Sequence, residues 1–130
     1  MIVLDASAVI DLLLDRPLTG QRVARRVSAG ESLVAPHLLD AEVGQVLRRF
    51  TLTGEISPQR AASALDDYAL LPIVRYPHTP LLRRALALYA NTTFYDALYL
   101  SLSEALDAPL ITLDRALAGI PGARATVEVL

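Results

Sequence analysis

The first residues of the chain constrain its fold more than any other stretch. Ile2, Val3 and Leu4 form an uninterrupted apolar run that ends at the carboxylate of Asp5. An apolar run without alternation predicts a strand buried on both faces, as in the centre of a parallel sheet covered by helices. In such sheets, ligands bind at the carboxyl ends of the strands. Asp5 is therefore predicted to lie at the edge of the sheet where a functional site forms.

A second run of this kind lies near the other end of the chain, where Leu110–Thr112 is followed after one residue by Asp114. If both runs are strands of one parallel sheet, Asp5 and Asp114 lie at the same edge. Taken alone, Asp5 is typical of a turn and Asp114 of a helix cap. Their shared placement is what favours a site.

Extended and helical patterns alternate along the chain. Further strands are predicted at 32–35, 72–75 and 125–129. Helices are predicted at 7–14 with Ser7 as N-cap, 16–29, 36–51, 58–70 with Ser57 as N-cap, 79–89 and 94–106. This alternation predicts a single α/β domain over residues 1–130, with a mostly parallel sheet of four to five strands and helices on both faces.

Composition narrows the possible chemistry. The chain has no cysteine, so any bound metal must be held by oxygen or imidazole, which favours a hard cation such as Mg²⁺ or Mn²⁺. All 12 basic residues are arginine, which excludes a catalytic lysine and the phosphotransfer sites that need one. The net charge of -2 is not that of a dedicated nucleic-acid binder, so contacts to nucleic acid require local arginines or a metal. No apolar run could span a membrane, and we expect a cytoplasmic protein.

Two further acids have positions that helix geometry can explain. Asp96 follows Thr93 at the spacing of a capping box, and a helix beginning there points its N-terminus at the same sheet edge as Asp5. On the helix at 36–51, Asp40 and Glu42 flank opposite sides of the apolar stripe, so periodicity cannot choose between them. Other acids are expected on helix exteriors or in turns, namely Glu31, Glu55, Asp66, Asp67, Glu104 and Asp107.

Four carboxylates at one edge repel each other unless a cation lies between them. Mg²⁺ is commonly held by one or two carboxylates together with water and substrate phosphates, and a second ion could use the remaining acids. Such a site suits the hydrolysis of a phosphodiester bond.

These segments together resemble the PIN domain, and in size and layout the VapC-type ribonuclease toxins of bacterial toxin–antitoxin pairs. The resemblance is carried by four segments in order, at residues 3–8, 39–43, 95–99 and 110–114. It implies a three-layer α/β/α fold and Mg²⁺- or Mn²⁺-dependent cleavage of RNA. The implied metal-binding and catalytic residues are Asp5, Glu42, Asp96 and Asp114, so that Glu42 rather than Asp40 is the helix acid.

The same resemblance implies supporting roles beside the metal for Ser7 and Thr112. It also implies a homodimer and neutralisation by a small cognate antitoxin. Arg115, next to Asp114, is the arginine we most expect to contact phosphate, whereas the other candidates are typical of a solvated helix face: Arg22, Arg25, Arg26, Arg48, Arg49, Arg83 and Arg84. Tyr95 and Tyr99 could stack on bases, although their helical spacing is more typical of core or dimer-interface residues.

One alternative of another class is a PIN fold that no longer cleaves and serves as an RNA- or protein-binding module. A degenerate site is expected to have lost at least one of its acids, and this chain has all four. We therefore expect a catalyst.

Overall fold

The computed structural model describes all 130 residues and consists of five strands and six helices. The strands are β1 (Ile2–Leu4), β2 (Leu33–Pro36), β3 (Ile73–Tyr76), β4 (Leu110–Thr112) and β5 (Val127–Val129). The helices are α1 (Ala6–Leu13), α2 (Thr19–Val27), α3 (Leu38–Leu52), α4 (Pro58–Leu70), α5 (Leu82–Ala87) and α6 (Phe94–Leu106). Short 3₁₀ turns span Thr79–Leu81 and Arg115–Leu117.

The sheet has the order β3-β2-β1-β4-β5, and every neighbouring pair of strands is parallel. Successive side chains of a strand point to opposite faces, so each strand contributes to two cores. Ile2 and Leu4 pack with α1 to α4 on one face, and Val3 packs with α5 and α6 on the other. The predicted α/β/α fold is therefore confirmed, with β1 buried in the centre.

Several predicted boundaries were wrong. Asp5, not Ser7, is the N-cap of α1, because its carboxylate accepts the backbone N–H of Ala8. Pro36 ends β2 instead of opening α3. The helix predicted at 16–29 begins only at Thr19, because Leu18 has a φ of 67°, which is not a helical conformation. The helix predicted at 79–89 begins as the 3₁₀ turn and its α-helical part ends at Ala87.

The prediction of a solvated position for Glu104 was also wrong. Its side chain is only 8% exposed and accepts two hydrogen bonds from Arg84, at 2.7 and 3.0 Å, and a third from the backbone N–H of Arg124 at 2.7 Å. The buried carboxylate thus joins α6 to α5 and to the loop before β5. None of the helices is long and apolar enough to cross a lipid bilayer.

Candidate active site

Asp5 is the most buried acid of the predicted site, with 6% of its surface exposed. It ends the central strand and caps α1, where Oδ1 accepts hydrogen bonds from Ser7 Oγ at 2.7 Å and from the N–H of Ala8 at 3.0 Å. Thr112 Oγ1 donates to Oδ2 at 2.6 Å across the boundary between β1 and β4. Three donors therefore fix the carboxylate, and about one of its four lone-pair positions stays free.

Ser7 and Thr112 each carry one hydroxyl hydrogen, and both hydrogens are directed at Asp5. Each hydroxyl oxygen also accepts a backbone N–H, Ser7 from Leu113 at 3.0 Å and Thr112 from Asp114 at 2.9 Å. The two hydroxyls thus connect the end of β1 to the loop that follows β4. The supporting positions predicted for them lie beside Asp5, and their metal-related role stays a prediction.

Glu42 lies in the second turn of α3 and is half-buried. Its Oε1 accepts a 2.7 Å hydrogen bond from the hydroxyl of Tyr99, a side chain of α6 that is 1% exposed. The N-terminus of α3 is itself fixed from the loop after β3, because the N–H of Leu38 donates to Nε2 of His78 at 2.8 Å. The side chain of Glu42 is therefore oriented by a residue of α6, and the start of its helix is fixed by the loop after β3.

Tyr99 is the site residue whose role the sequence did not predict. It lies in the core, so base stacking by this residue is excluded, and its hydroxyl points at Glu42. A usable signal was present, because residues three apart on a helix share a face and Tyr99 follows Asp96 by three. Tyr95 is 61% exposed, and its contact with a base stays a prediction.

Asp96 and Asp114 complete the acidic edge. Asp96 is in the first turn of α6, where Thr93 caps the helix by accepting the N–H of Asp96 at 3.1 Å. Asp114 is exposed and caps the 3₁₀ turn after β4, its Oδ1 accepting the N–H of Ala116 at 2.9 Å. Asp114 can be both a cap and an acid of the site, since capping uses only part of the hydrogen-bonding capacity of its carboxylate.

The four acids act on one another electrostatically. Burial is the main cause that raises the pKa of Asp5, Glu42 and Asp96. The charge of Asp96 raises the pKa of Asp5 and Glu42 further, and the charge of Asp114 raises that of Asp96. Hydrogen bonds from Ser7, Ala8, Thr112 and Tyr99 offset these effects only in part.

No arginine forms an ion pair with any of the four acids, although seven ion pairs occur elsewhere in the molecule. In this arrangement no three His, Cys, Asp or Glu side chains are grouped closely enough to hold one metal ion. Mg²⁺ is usually held by only one or two carboxylates, with water and substrate oxygens completing its shell. The free lone pairs and the uncompensated negative charge therefore fit a hard divalent cation.

Asp40, the rival of Glu42, is directed elsewhere. Its Oδ1 accepts the hydroxyl of Tyr68 at 2.5 Å and lies 3.0 Å from Nη2 of Arg75. Burial of Asp40 works against ionisation, but the bonds from Tyr68 and Arg75 outweigh it and lower the pKa of this carboxyl. Asp40 of α3 thus forms an ion pair with Arg75 of β3 and accepts a hydrogen bond from Tyr68 of α4.

Comparisons with known proteins agree with this picture. The family model for the PIN domain matches residues 2–123. Ribonuclease VapC1 of Mycobacterium tuberculosis is 45% identical over 130 residues, covering 98% of this chain and 96% of the relative. Ribonuclease VapC12 of the same organism is 38% identical over 130 residues, covering 100% of this chain and 99% of the relative.

A solved toxin–antitoxin complex from Klebsiella pneumoniae contains a chain of the same fold. It superposes with a TM-score of 0.70 at 19% identity, covering 99% of this chain and 97% of the other. At this identity the likeness concerns the fold alone.

Proposed function

Because this chain belongs to the PIN domain family, we propose that it is a VapC-type toxin, an endoribonuclease that hydrolyses phosphodiester bonds of RNA. The support from the comparisons is the 45% identity to Ribonuclease VapC1, which extends over 98% of this chain. The observation in the structure that carries the proposal is the set of four carboxylates at the carboxyl edge of the sheet, which no basic side chain neutralises.

The proposed metal ligands are Asp5, Glu42, Asp96 and Asp114, and the proposed ion is Mg²⁺ or Mn²⁺. PIN-domain nucleases of the VapC group generally depend on a divalent metal. When bound, the cation supplies Lewis-acid stabilisation of the negative charge that develops on the phosphate oxygens.

The chain's own residues prepare this site. Ser7 and Thr112 keep Asp5 oriented and leave it a pure acceptor, since both donate their only hydroxyl hydrogen to it. The hydroxyl of Tyr99 likewise orients Glu42 by donating its hydrogen to one carboxylate oxygen. Charged acceptors held in fixed positions need little reorganisation when a cation or a phosphate arrives.

Family membership supports further proposals about the partners and the cellular setting of the chain. We propose a cognate antitoxin that neutralises the toxin, which the fold shared with a toxin–antitoxin complex supports. A homodimer, a single PIN domain over residues 1–130 and a cytoplasmic setting are part of the same proposal.

The test compares Asp5→Asn with the wild type in RNA cleavage at millimolar Mg²⁺ and in growth on induction. Asparagine keeps the acceptor that caps α1 and removes a metal-binding charge. We expect cleavage to fall about a hundredfold or more, because losing several kcal/mol of metal-assisted stabilisation has that effect on rate. Sequencing of new RNA ends identifies the cleaved motif.

Asp66→Asn is the matched control, since it removes an exposed acid of α4 and is expected to cleave and arrest growth like the wild type. If wild type and Asp5→Asn are both soluble and behave alike, the catalytic proposal is wrong and a non-cleaving binding module takes its place.

A further inference from the structure

The twelve arginines differ in what their guanidinium groups contact. Five form ion pairs with carboxylates, namely Arg16, Arg26, Arg75, Arg84 and Arg124. Arg60 donates to the carbonyl oxygen of Leu13, and Arg49 lies over the ring of Phe50. Five exposed arginines remain without a partner: Arg22, Arg25, Arg48, Arg83 and Arg115. Their charge is available to a ligand.

Three of these five lie together. Arg22 of α2 and Arg115 of the 3₁₀ turn line one cleft of about 390 Å³, which Val129 also lines. A neighbouring cleft is lined by Arg22, Arg25, Leu130 and the ion-paired Arg26. Arg22 and Arg25 are one turn apart and so share a face of α2. Two segments distant in sequence thus bring unpaired positive charges to one surface.

The direction of this surface is set by the ion pairs of Arg26. Arg26 binds Glu128 of β5 and Glu31, and Glu31 also pairs with the N-terminus of Met1 at the amino end of β1. The far end of α2, with Arg22, therefore lies toward the carboxyl ends of the strands, where Arg115 follows Asp114. The surface runs from the acidic edge along β5, the last strand of the sheet.

The three unpaired arginines, Arg22, Arg25 and Arg115, favour a ligand that carries several negative charges along a chain. Guanidinium groups bind phosphate through paired N–H donors, and a positive groove that follows a backbone is typical of sites for single-stranded nucleic acid. Arg26 cannot contribute in this way, because Glu31 and Glu128 already neutralise it.

We propose that Arg22, Arg25 and Arg115 form a track that binds the phosphodiester backbone of the RNA substrate beside the acidic site. The track rests on the function proposed above and adds where the RNA lies. The contacts are to phosphate, so they hold RNA without reading its sequence.

The experiment measures the dissociation constant of a fluorescent single-stranded RNA over a range of salt concentrations, in an Asp5→Asn background that prevents cleavage. The double variant Arg22→Ala/Arg115→Ala is compared with Arg48→Ala/Arg83→Ala, which removes two equally unpaired arginines from other surfaces. For single strands, the slope of log affinity against log salt becomes shallower by about 0.7 for each phosphate that the protein no longer neutralises, or by about 1.4 for the first double variant.

The control pair is expected to keep the parent slope, and the weakening of binding in the track variant is expected to be equal for RNAs of different sequence. Identical slopes and affinities in the two double variants overturn the track. If they are identical while the wild type cleaves RNA, the track alone is wrong. If the parent binds no RNA at any salt concentration, the track is wrong, and if the wild type also cleaves no RNA, the proposed substrate is wrong as well. If the track variant binds RNA more weakly but the wild type does not cleave, the track stands and the catalytic proposal is wrong.

Discussion

Asp40 and Glu42 lie two residues apart on α3, and each accepts a hydrogen bond from a buried tyrosine. Around Asp40, the guanidinium of Arg75 supplies a positive charge and the pKa of the acid is lowered. Around Glu42, the neighbouring charges are those of Asp96 and Asp5, and the pKa is raised by burial first and by these charges second.

The difference separates Asp40, an acid with a positively charged partner, from Glu42, an acid that we propose binds a cation. An ionised carboxylate that is half-buried beside other carboxylates destabilises the folded chain, so its presence calls for another explanation. A bound divalent cation provides one. Two acids in successive turns of one helix thus have different surroundings, because different elements pack against them.

The largest expected difference between variants of Glu42 and of Asp40 is in the rate of RNA cleavage. Glu42→Gln removes a proposed ligand charge and is expected to lower the rate of RNA cleavage by about a hundredfold or more, since metal-assisted stabilisation amounts to several kcal/mol. Asp40→Asn is expected to cleave within a few-fold of wild type and to lose about 1 kcal/mol of stability or less, as for an exposed ion pair. Initial rates and denaturant melts measure both. An equal fall in cleavage rate for the two variants would contradict the separate roles of these acids.

The two tyrosines allow a finer comparison. Tyr99→Phe removes the hydroxyl that orients Glu42, and groups that orient metal ligands typically change metal affinity by about 10- to 100-fold. We expect the Mn²⁺ concentration for half-maximal cleavage to rise in that range, and the shift of melting temperature by Mn²⁺ to shrink.

Tyr68→Phe is the matched control, because it removes the hydroxyl that donates to Asp40. It is expected to leave the Mn²⁺ dependence unchanged. A shift of similar size in both variants contradicts a specific role for Tyr99.

The smallest expected effect is on the free energy of unfolding in the absence of metal. Replacing Asp40 and replacing Glu42 should change this free energy in opposite directions. The pKa of Asp40 is lower in the folded chain, so its ion pair stabilises above the unfolded value of about 4 and the contribution is lost as pH falls through the folded value. The pKa of Glu42 is raised, so its contribution is full below about pH 4 and is lost as pH rises through the folded value.

Metal-free Asp40→Asn is therefore expected to be less stable than wild type at pH 7, and Glu42→Gln more stable, with both differences shrinking below about pH 4. Urea melts from pH 3 to 7 in EDTA measure this. Differences of the same sign for both variants contradict the opposite electrostatic surroundings.

Much of the fold could be predicted because its signals are local. The apolar runs predicted β1 and β4, and Ser57 with Pro58 marked the start of α4 correctly. The prediction of Ser7 as N-cap failed, since the competing acceptor, the carboxylate of Asp5, lies only two residues away and a sequence does not say which one turns toward the N–H of Ala8.

The sequence by itself determined that apolar strands end in acids at one edge of the sheet. Strand burial follows from short apolar runs, and the parallel topology follows from the alternation of strands with helices along the chain. It could not decide that Asp40 pairs with Arg75 while Glu42 meets Tyr99, nor that Glu104 is buried against Arg84. Those outcomes depend on side chains 20 to 57 residues away that only the packed layers bring into contact. The electrostatic surroundings of an acid, and hence its role, are properties of the tertiary structure.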